Sequence, residues 1–353
     1  MKEEMILEEK FWRKRIPLLP SLLIVVAGIL FFVFSQFHLF SGDNKKNTTP
    51  ALMPAVAAQP SETTRYRMND FMFTHPLMLV DQSSEASELI NLKAEIEGVI
   101  NAAKAQGAIT SASVYINRLN NDHWISINGN EGYNGGSLLK VPVMMTYLRE
   151  AEKRPGLLGR KLVFSYGGKV PQQTFNEGNI EQGKSYTIKE LMYYMIARSD
   201  NYATSLLNKN INTEAYENLF ADIGIPKPNM TDRSYTLTVN DYSKFLRVLY
   251  NATYLNIEDA DFALSLLSQV TFKEGLTREL PASVKVAHKF GEWGEPVAGT
   301  LHQLHESGIV YCDGNPYLIT VMTKGKEVKP LPDVISQISK LVFDRLGGDK
   351  PKS

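Results

Sequence analysis

The run Gly135-Gly-Ser-Leu-Leu-Lys140, continuing into Val141-Pro-Val-Met-Met-Thr-Tyr-Leu148, sets a hydroxyl and an amine three residues apart at the mouth of an apolar segment. If a helix begins here, the i to i+3 spacing stacks Ser137 and Lys140 on one face, within hydrogen-bond reach of each other. The apolar neighbours disfavour the ammonium form and lower the Lys140 pKa toward the range in which it can accept a serine proton. Pro142 falls near the helix start, where a missing donor matters least. The same four-residue spacing also arises by chance, as an N-cap serine beside a solvated lysine, so its surroundings have to arbitrate.

Two more polar runs lie downstream. Thr187-Ile-Lys-Glu190 has capping-box spacing, and the apolar stripe Ile188, Leu191, Met192 and Met195 stops near Ala197. Ser199-Asp-Asn201 therefore sits at a helix-to-helix junction, where by itself it is a polar turn capping a helix over 202–208. Lys289-Phe-Gly291 follows the strand-like run Val284 to Ala287. A lysine followed by glycine on an edge strand lets a substrate approach the backbone, although an edge lysine can equally be a guard against strand pairing.

Farther out, Leu89, Leu92, Ile96, Val99 and Ala103 recur at helical spacing between Glu85 and Gln106, with Gly107 as a stop. Runs 111–119 and 124–128 flank Asn120-Asn-Asp-His123, and runs 308–312 and 317–323 flank Asp313-Gly-Asn-Pro316, which predicts two hairpins. A last amphipathic helix carries Val334, Ile335, Ile338, Leu341 and Val342. The predicted fold is α/β of the α+β kind: an antiparallel sheet made from both chain ends and flanked by helices, plus a helical lobe over about 140–270.

Ser-x-x-Lys, then Ser-Asp-Asn, then Lys-x-Gly, in this order inside one domain over 85–350, resembles the class A β-lactamases and the related penicillin-binding proteins. The resemblance implies a β-lactamase/transpeptidase-like fold and a serine hydrolase. Ser137 would be the acylated nucleophile and Lys140 its base. Ser199 would pass a proton toward the leaving nitrogen, assisted by the charge of Lys289, and Asn201 would hydrogen-bond the substrate amide. The backbone N–H groups of Ser137 and Glu292, the latter just after Gly291, would hold the oxyanion. Asp200 would bond loop backbone. The implied substrate is a β-lactam or a peptidoglycan-like amide, with no metal and no cofactor.

The departures bear on turnover. Class A β-lactamases carry a Glu on a long loop after Ser-Asp-Asn, where it activates the water that releases the acyl group. The corresponding segment here, 224–239, is shorter; Asp232-Arg233 matches an Asp-Arg pair of the family, but Ser234 and Tyr235 stand where Glu would follow. Loss of such a base removes help worth roughly 10² to 10⁴ in rate, so acylation can outlast turnover. Phe290 replaces the Thr or Ser that would bind a β-lactam carboxylate, and Ser307 rather than Arg stands on the next strand. The alternatives are a penicillin-binding sensor or a D-Ala-D-Ala-type peptidase without efficient β-lactam hydrolysis.

The 26 residues from Ile16 to Ser41 contain no Asp, Glu, Lys or Arg, and about 20 apolar residues suffice to cross a hydrocarbon core. Arg13, Lys14 and Arg15 precede them, so the expectation is a single-pass anchor at 16–41, a cytoplasmic N-terminus at 1–15, a tether over 42–84 and an extracytoplasmic hydrolase domain. A cleaved signal peptide fits less well, because the apolar run is long and no small-x-small site follows it. Lys plus Arg and Asp plus Glu number 38 each, so no global field favours nucleic acid as a partner. The single cysteine, Cys312, forms no intramolecular disulfide and builds no thiolate metal site. His302 and His305 lack a matched carboxylate, and His288 reads as a satisfied surface residue. Trp124 reads as core and Trp293 as site rim.

Overall fold

The computed structural model describes residues 63–68, 76–82, 84–165, 174–175, 180–228, 235–294 and 299–347. The apolar run 16–41 and the Asp232-Arg233-Ser234 stretch lie outside them. Among the described residues no helix is long and apolar enough to cross a membrane.

The first described elements are strands β1 (Thr63–Arg67) and β2 (Leu77–Gln82), which pair antiparallel, followed by helix α1 (Ile90–Ala105). Strands β3 (Ser111–Arg118) and β4 (His123–Ile127) form the first expected hairpin. The helical region holds α2 (Lys140–Lys153), α3 (Ile188–Ala197), α4 (Asn201–Asn208), α5 (Thr213–Asp222), α6 (Val239–Tyr250) and α7 (Ile257–Leu267). A small pair unforeseen from sequence, β5 (Lys161–Val163) with β6 (Ser185–Thr187), interrupts it. Strands β7 (Lys285–Trp293), β8 (His302–Tyr311) and β9 (Tyr317–Gly325) precede the last helix, α8 (Leu331–Leu346).

The main sheet runs in the order β4-β3-β9-β8-β7, all antiparallel, so both chain ends do supply it and β7 is an edge. Its central strands are buried at nearly every position rather than at alternate ones, which means that both faces are covered. The cover comes from α1 and α8, which pack on each other, and from α6.

Local chemistry fixes the helix starts. Thr187 and Glu190 exchange capping-box bonds at α3, and Thr238 and Asp241 do the same at α6.

The tether expected over 42–84 is corrected in its C-terminal part. β1 and β2 lie inside it, with Met78 and Leu79 buried. Polar bonds fasten the hairpin to α6 and its end: Arg247 to the Asp81 carboxylate at 2.5 Å and to the Val80 carbonyl at 2.9 Å, and Thr253 Oγ1 to the Met78 carbonyl at 2.8 Å. Contacts between residues some 170 positions apart leave no local period in the sequence.

Candidate active site

Ser137 lies in a 3-10 turn, Gly136–Leu139, that leads directly into α2 at Lys140. The expected helical spacing is therefore present, its first turn being tighter than α. The turn is held from two sides. Tyr242 Oη on α6 donates to the Leu138 carbonyl at 3.1 Å. Asn134, just upstream, accepts from His305 Nε2 through its carbonyl at 3.0 Å, while its own N–H donates to Gln303 at 3.1 Å.

The edge strand meets this turn without intervening side chains. A methyl group on Gly291 would lie 2.6 Å from the Gly135 carbonyl oxygen and 2.8 Å from the Leu138 nitrogen, and one on Gly136 would strike the Glu292 carbonyl. Gly136 also has φ +49°, a left-handed conformation that glycine adopts freely. Ser137 is consequently seated against Gly291 and Glu292.

Lys140 crosses to the α3–α4 junction. Its Nζ donates to the Ser199 carbonyl at 2.6 Å, to Ser199 Oγ at 3.1 Å and to Asn201 Oδ1 at 2.8 Å. Lys289 reaches the same hydroxyl from the sheet, its Nζ lying 3.0 Å from Ser199 Oγ and 2.9 Å from the Phe290 carbonyl. Lys140 is 4% exposed and Lys289 fully buried, and neither forms an ion pair among the described residues. Burial drives the Lys140 pKa down to about 7, with the Asp200 charge opposing. The Lys289 pKa lies well below its usual value, through burial first and repulsion from Lys140 second, with Glu306 opposing. When Lys140 is neutral that repulsion vanishes, which favours the charge on Lys289.

Ser199 holds this position at φ +53°, uncommon for a residue with a side chain and of the kind found where a site over-determines its backbone. Asp200 stabilises the junction. Its Oδ1 accepts from the N–H groups of Tyr202 and Ala203 to cap α4, and its Oδ2 accepts from Ile180 N–H at 2.6 Å. This agrees with its expected structural part.

Of the residues singled out from sequence, Lys140, Ser199, Asn201 and Lys289 thus form one hydrogen-bonded group, with Ser137, Gly291 and Glu292 adjoining it. Phe290 is 2% exposed and stacked on Phe272, with centroids 4.4 Å apart. Three features are legible only in three dimensions. Glu292 spans toward Thr174, accepting from its N–H at 2.8 Å and its hydroxyl at 2.6 Å. Phe175 packs edge-on against Phe272 at 5.2 Å. His288 is corrected from a surface position: it is fully buried, with Nδ1 2.5 Å from Glu306 Oε1, because register sets both residues on one face of the β7–β8 pair. His305 has both ring nitrogens engaged, by the Asn134 carbonyl and the Thr323 N–H, and burial lowers its pKa to about 3. A neutral ring held this way is a structural strut.

A five-stranded antiparallel sheet with a helical lobe, and two buried lysines sharing one hydroxyl beside the Ser137 turn, are the fold and site of a protein of the β-lactamase type. The chain belongs to the β-lactamase enzyme family, whose model matches residues 91–346. Among solved structures it is similar to a β-lactamase from Chitinophaga pinensis DSM 2588, at 23% identity and a TM-score of 0.63, covering 72% of this chain and 99% of that one. It is also similar to PBP-A in an acyl-enzyme complex with penicillin G, at 19% identity and a TM-score of 0.61, covering 73% and 96%. A class A β-lactamase from Bacteroides cellulosilyticus DSM 14838 aligns at 20% identity and a TM-score of 0.62, covering 73% and 99%. No curated protein matches the sequence.

Proposed function

We propose that the chain is a membrane-anchored, extracytoplasmic serine hydrolase that forms an acyl-enzyme on Ser137 with a β-lactam or a cell-wall-type amide. The observation that carries this reading is the buried chain Lys140–Ser199–Lys289, in which two amines share one hydroxyl. Neutral Lys140 takes the Ser137 proton as Oγ attacks the carbonyl carbon. The oxyanion is held by the N–H groups of Ser137 and Glu292, donors worth several kcal/mol in a dry site. As the carbon–nitrogen bond breaks, Ser199 Oγ–H protonates the leaving nitrogen and regains its proton from Lys140. Lys289 keeps Ser199 polarised, and Asn201 orients the substrate amide.

Water must then attack the ester, and no Glu follows Asp232-Arg233 to activate it. This favours a second reading, a penicillin-binding sensor or slow peptidase whose acyl-enzyme persists. Intact-protein mass followed over time with penicillin G tests both. A Ser137-dependent adduct supports the reading, and its lifetime separates turnover from sensing. An adduct that persists in Ser137→Ala refutes it. The anchor rests on the uncharged run 16–41, and recovery of the full chain from washed bacterial membranes only with detergent tests it.

A further inference from the structure

The serine turn hangs from the sheet by two side chains that the acyl-transfer steps leave unused. In the β7–β8 pair His305 stands directly across from Gly291, and Gln303 across from Trp293. Residues opposed in this way project from the same face. On that face Gly291 offers no side chain and the turn comes down onto it, the Gly135 carbonyl oxygen lying 2.6 Å from where a methyl group would stand. The neighbouring strand then reaches the turn directly. His305 Nε2–H donates to the Asn134 carbonyl at 3.0 Å, and Gln303 Oε1 accepts from the Asn134 N–H at 3.1 Å, so β8 grips both backbone polar groups of one residue. Asn134 passes the restraint on, because its Oδ1 accepts from the N–H of Gly136 at 3.1 Å, one residue before Ser137. The grip is itself anchored. His305 is fully buried, its Nδ1 accepts from the Thr323 N–H of β9 at 3.3 Å, and its ring meets Tyr133 edge-on at 5.3 Å. Burial holds the ring neutral, with a pKa of about 3, so at neutral pH Nε2 carries the hydrogen and Nδ1 the lone pair.

We propose that His305, assisted by Gln303, is a positioning residue for acyl transfer: through Asn134 it sets where the Ser137 N–H lies relative to the Glu292 N–H, the two donors that hold the oxyanion. The inference rests on the proposed reading of Ser137 as the nucleophile. One donor comes from the turn and the other from β7, so their separation is only as well defined as the docking of turn on sheet. β8 is bonded to β7 across this register, with Leu304 opposite Glu292, and it delivers the strut over the same boundary. An oxyanion needs both donors at about 2.7–3.1 Å, whereas the carbonyl of the bound substrate asks less of them, so a loosened turn raises the barrier more than it weakens binding. No proton passes through the imidazole, and the bonds made and broken are unchanged.

Acylation by penicillin G, followed on the whole chain by quenched intact mass over a range of concentrations, separates the limiting rate from the half-saturating concentration. His305→Phe keeps the bulk of the ring and loses both bonds. It should lower the limiting rate about 10- to 100-fold, as a misplacement of about 1 Å does, and leave the half-saturating concentration within about threefold of the wild type. His305→Gln, which restores a donor for the Asn134 carbonyl, should recover most of that loss. Gln303→Leu should lower the limiting rate about three- to tenfold, and serves if His305→Phe does not fold. A ring that only braces the fold would lower the melting temperature and leave the limiting rate unchanged at a temperature where the variants stay folded; that result overturns the proposal while leaving Ser137 acylation intact. So does a loss confined to the half-saturating concentration, or a His305→Gln variant as slow as His305→Phe. Absence of any Ser137 adduct in the wild type overturns the nucleophile assignment and the positioning role together.

Discussion

Two of the buried cation sites among the described residues have opposite fates. On α6, Arg247 is almost buried but has the Asp81 carboxylate at 2.5 Å and Asp122 at 3.6 Å. Burial pulls its pKa down, and Tyr115 together with those acids outweighs the pull, so the net shift is upward. Lys140 and Lys289, around Ser199, are as deeply buried and receive hydroxyl, amide and carbonyl oxygens but no carboxylate. Their pKa values fall. At these two sites burial acts in the same direction, and the bonded carboxylate beside Arg247 reverses its effect. The first group fastens the β1–β2 hairpin, and the second holds an amine, Lys140, whose pKa is lowered to about 7.

Substitutions test that contrast. The largest effect is expected at the nucleophile: Ser137→Ala should lower acylation by about 10⁵ or more, measured as adduct formation with penicillin G. Next come two parallel replacements by methionine. Lys140→Met should reduce acylation by about 10³ to 10⁴, with a melting temperature at pH 6 no lower than that of the wild type. Arg247→Met should leave acylation nearly unchanged but strand Asp81 and remove about 2–4 kcal/mol of stability, a clear drop in melting temperature. Equal thermal losses in the two variants would erase the distinction.

The pH dependence follows with its sign. Acylation should climb about tenfold per unit below pH 7 and level off above it, as Lys140 loses its proton. For stability, the folded pKa of about 7 lies below the ordinary 10.5. Between those values the unfolded chain binds more protons, so this group makes the fold more stable as pH rises from 7 to 10.5. The stability advantage of Lys140→Met, read by thermal denaturation, should therefore shrink from pH 6 to pH 9. The smallest effect belongs to Thr174→Val, which removes one of the two bonds to Glu292 and should alter acylation about two- to fivefold.

Much of this was legible in the chain because the decisive signals are local. Ser137 and Lys140 are three residues apart, the Thr187–Glu190 capping box announces the helix before Ser199, and turn residues at 120–123 and 313–316 mark the hairpins. The β1–β2 hairpin was not legible, since it follows a Pro-, Thr- and Ala-rich stretch and is fastened by Arg247 and Thr253, far along the chain. His288 read as surface because its burial depends on strand register against Glu306. Thr174 and Phe175 lie where no period exists, and the left-handed backbone of Ser199 has no signature in residue type. The short loop without Glu is a feature of the sequence alone.

The absent methyl groups at Gly136 and Gly291 carry one more consequence. Because strand and turn touch through bare backbone, neither position tolerates growth by itself, and a side chain at one cannot be offset by trimming the other, which is already minimal. The spacing between the serine turn and the sheet edge is therefore set by the backbone itself, and any change in the width of the cleft at this point has to come from moving the whole strand.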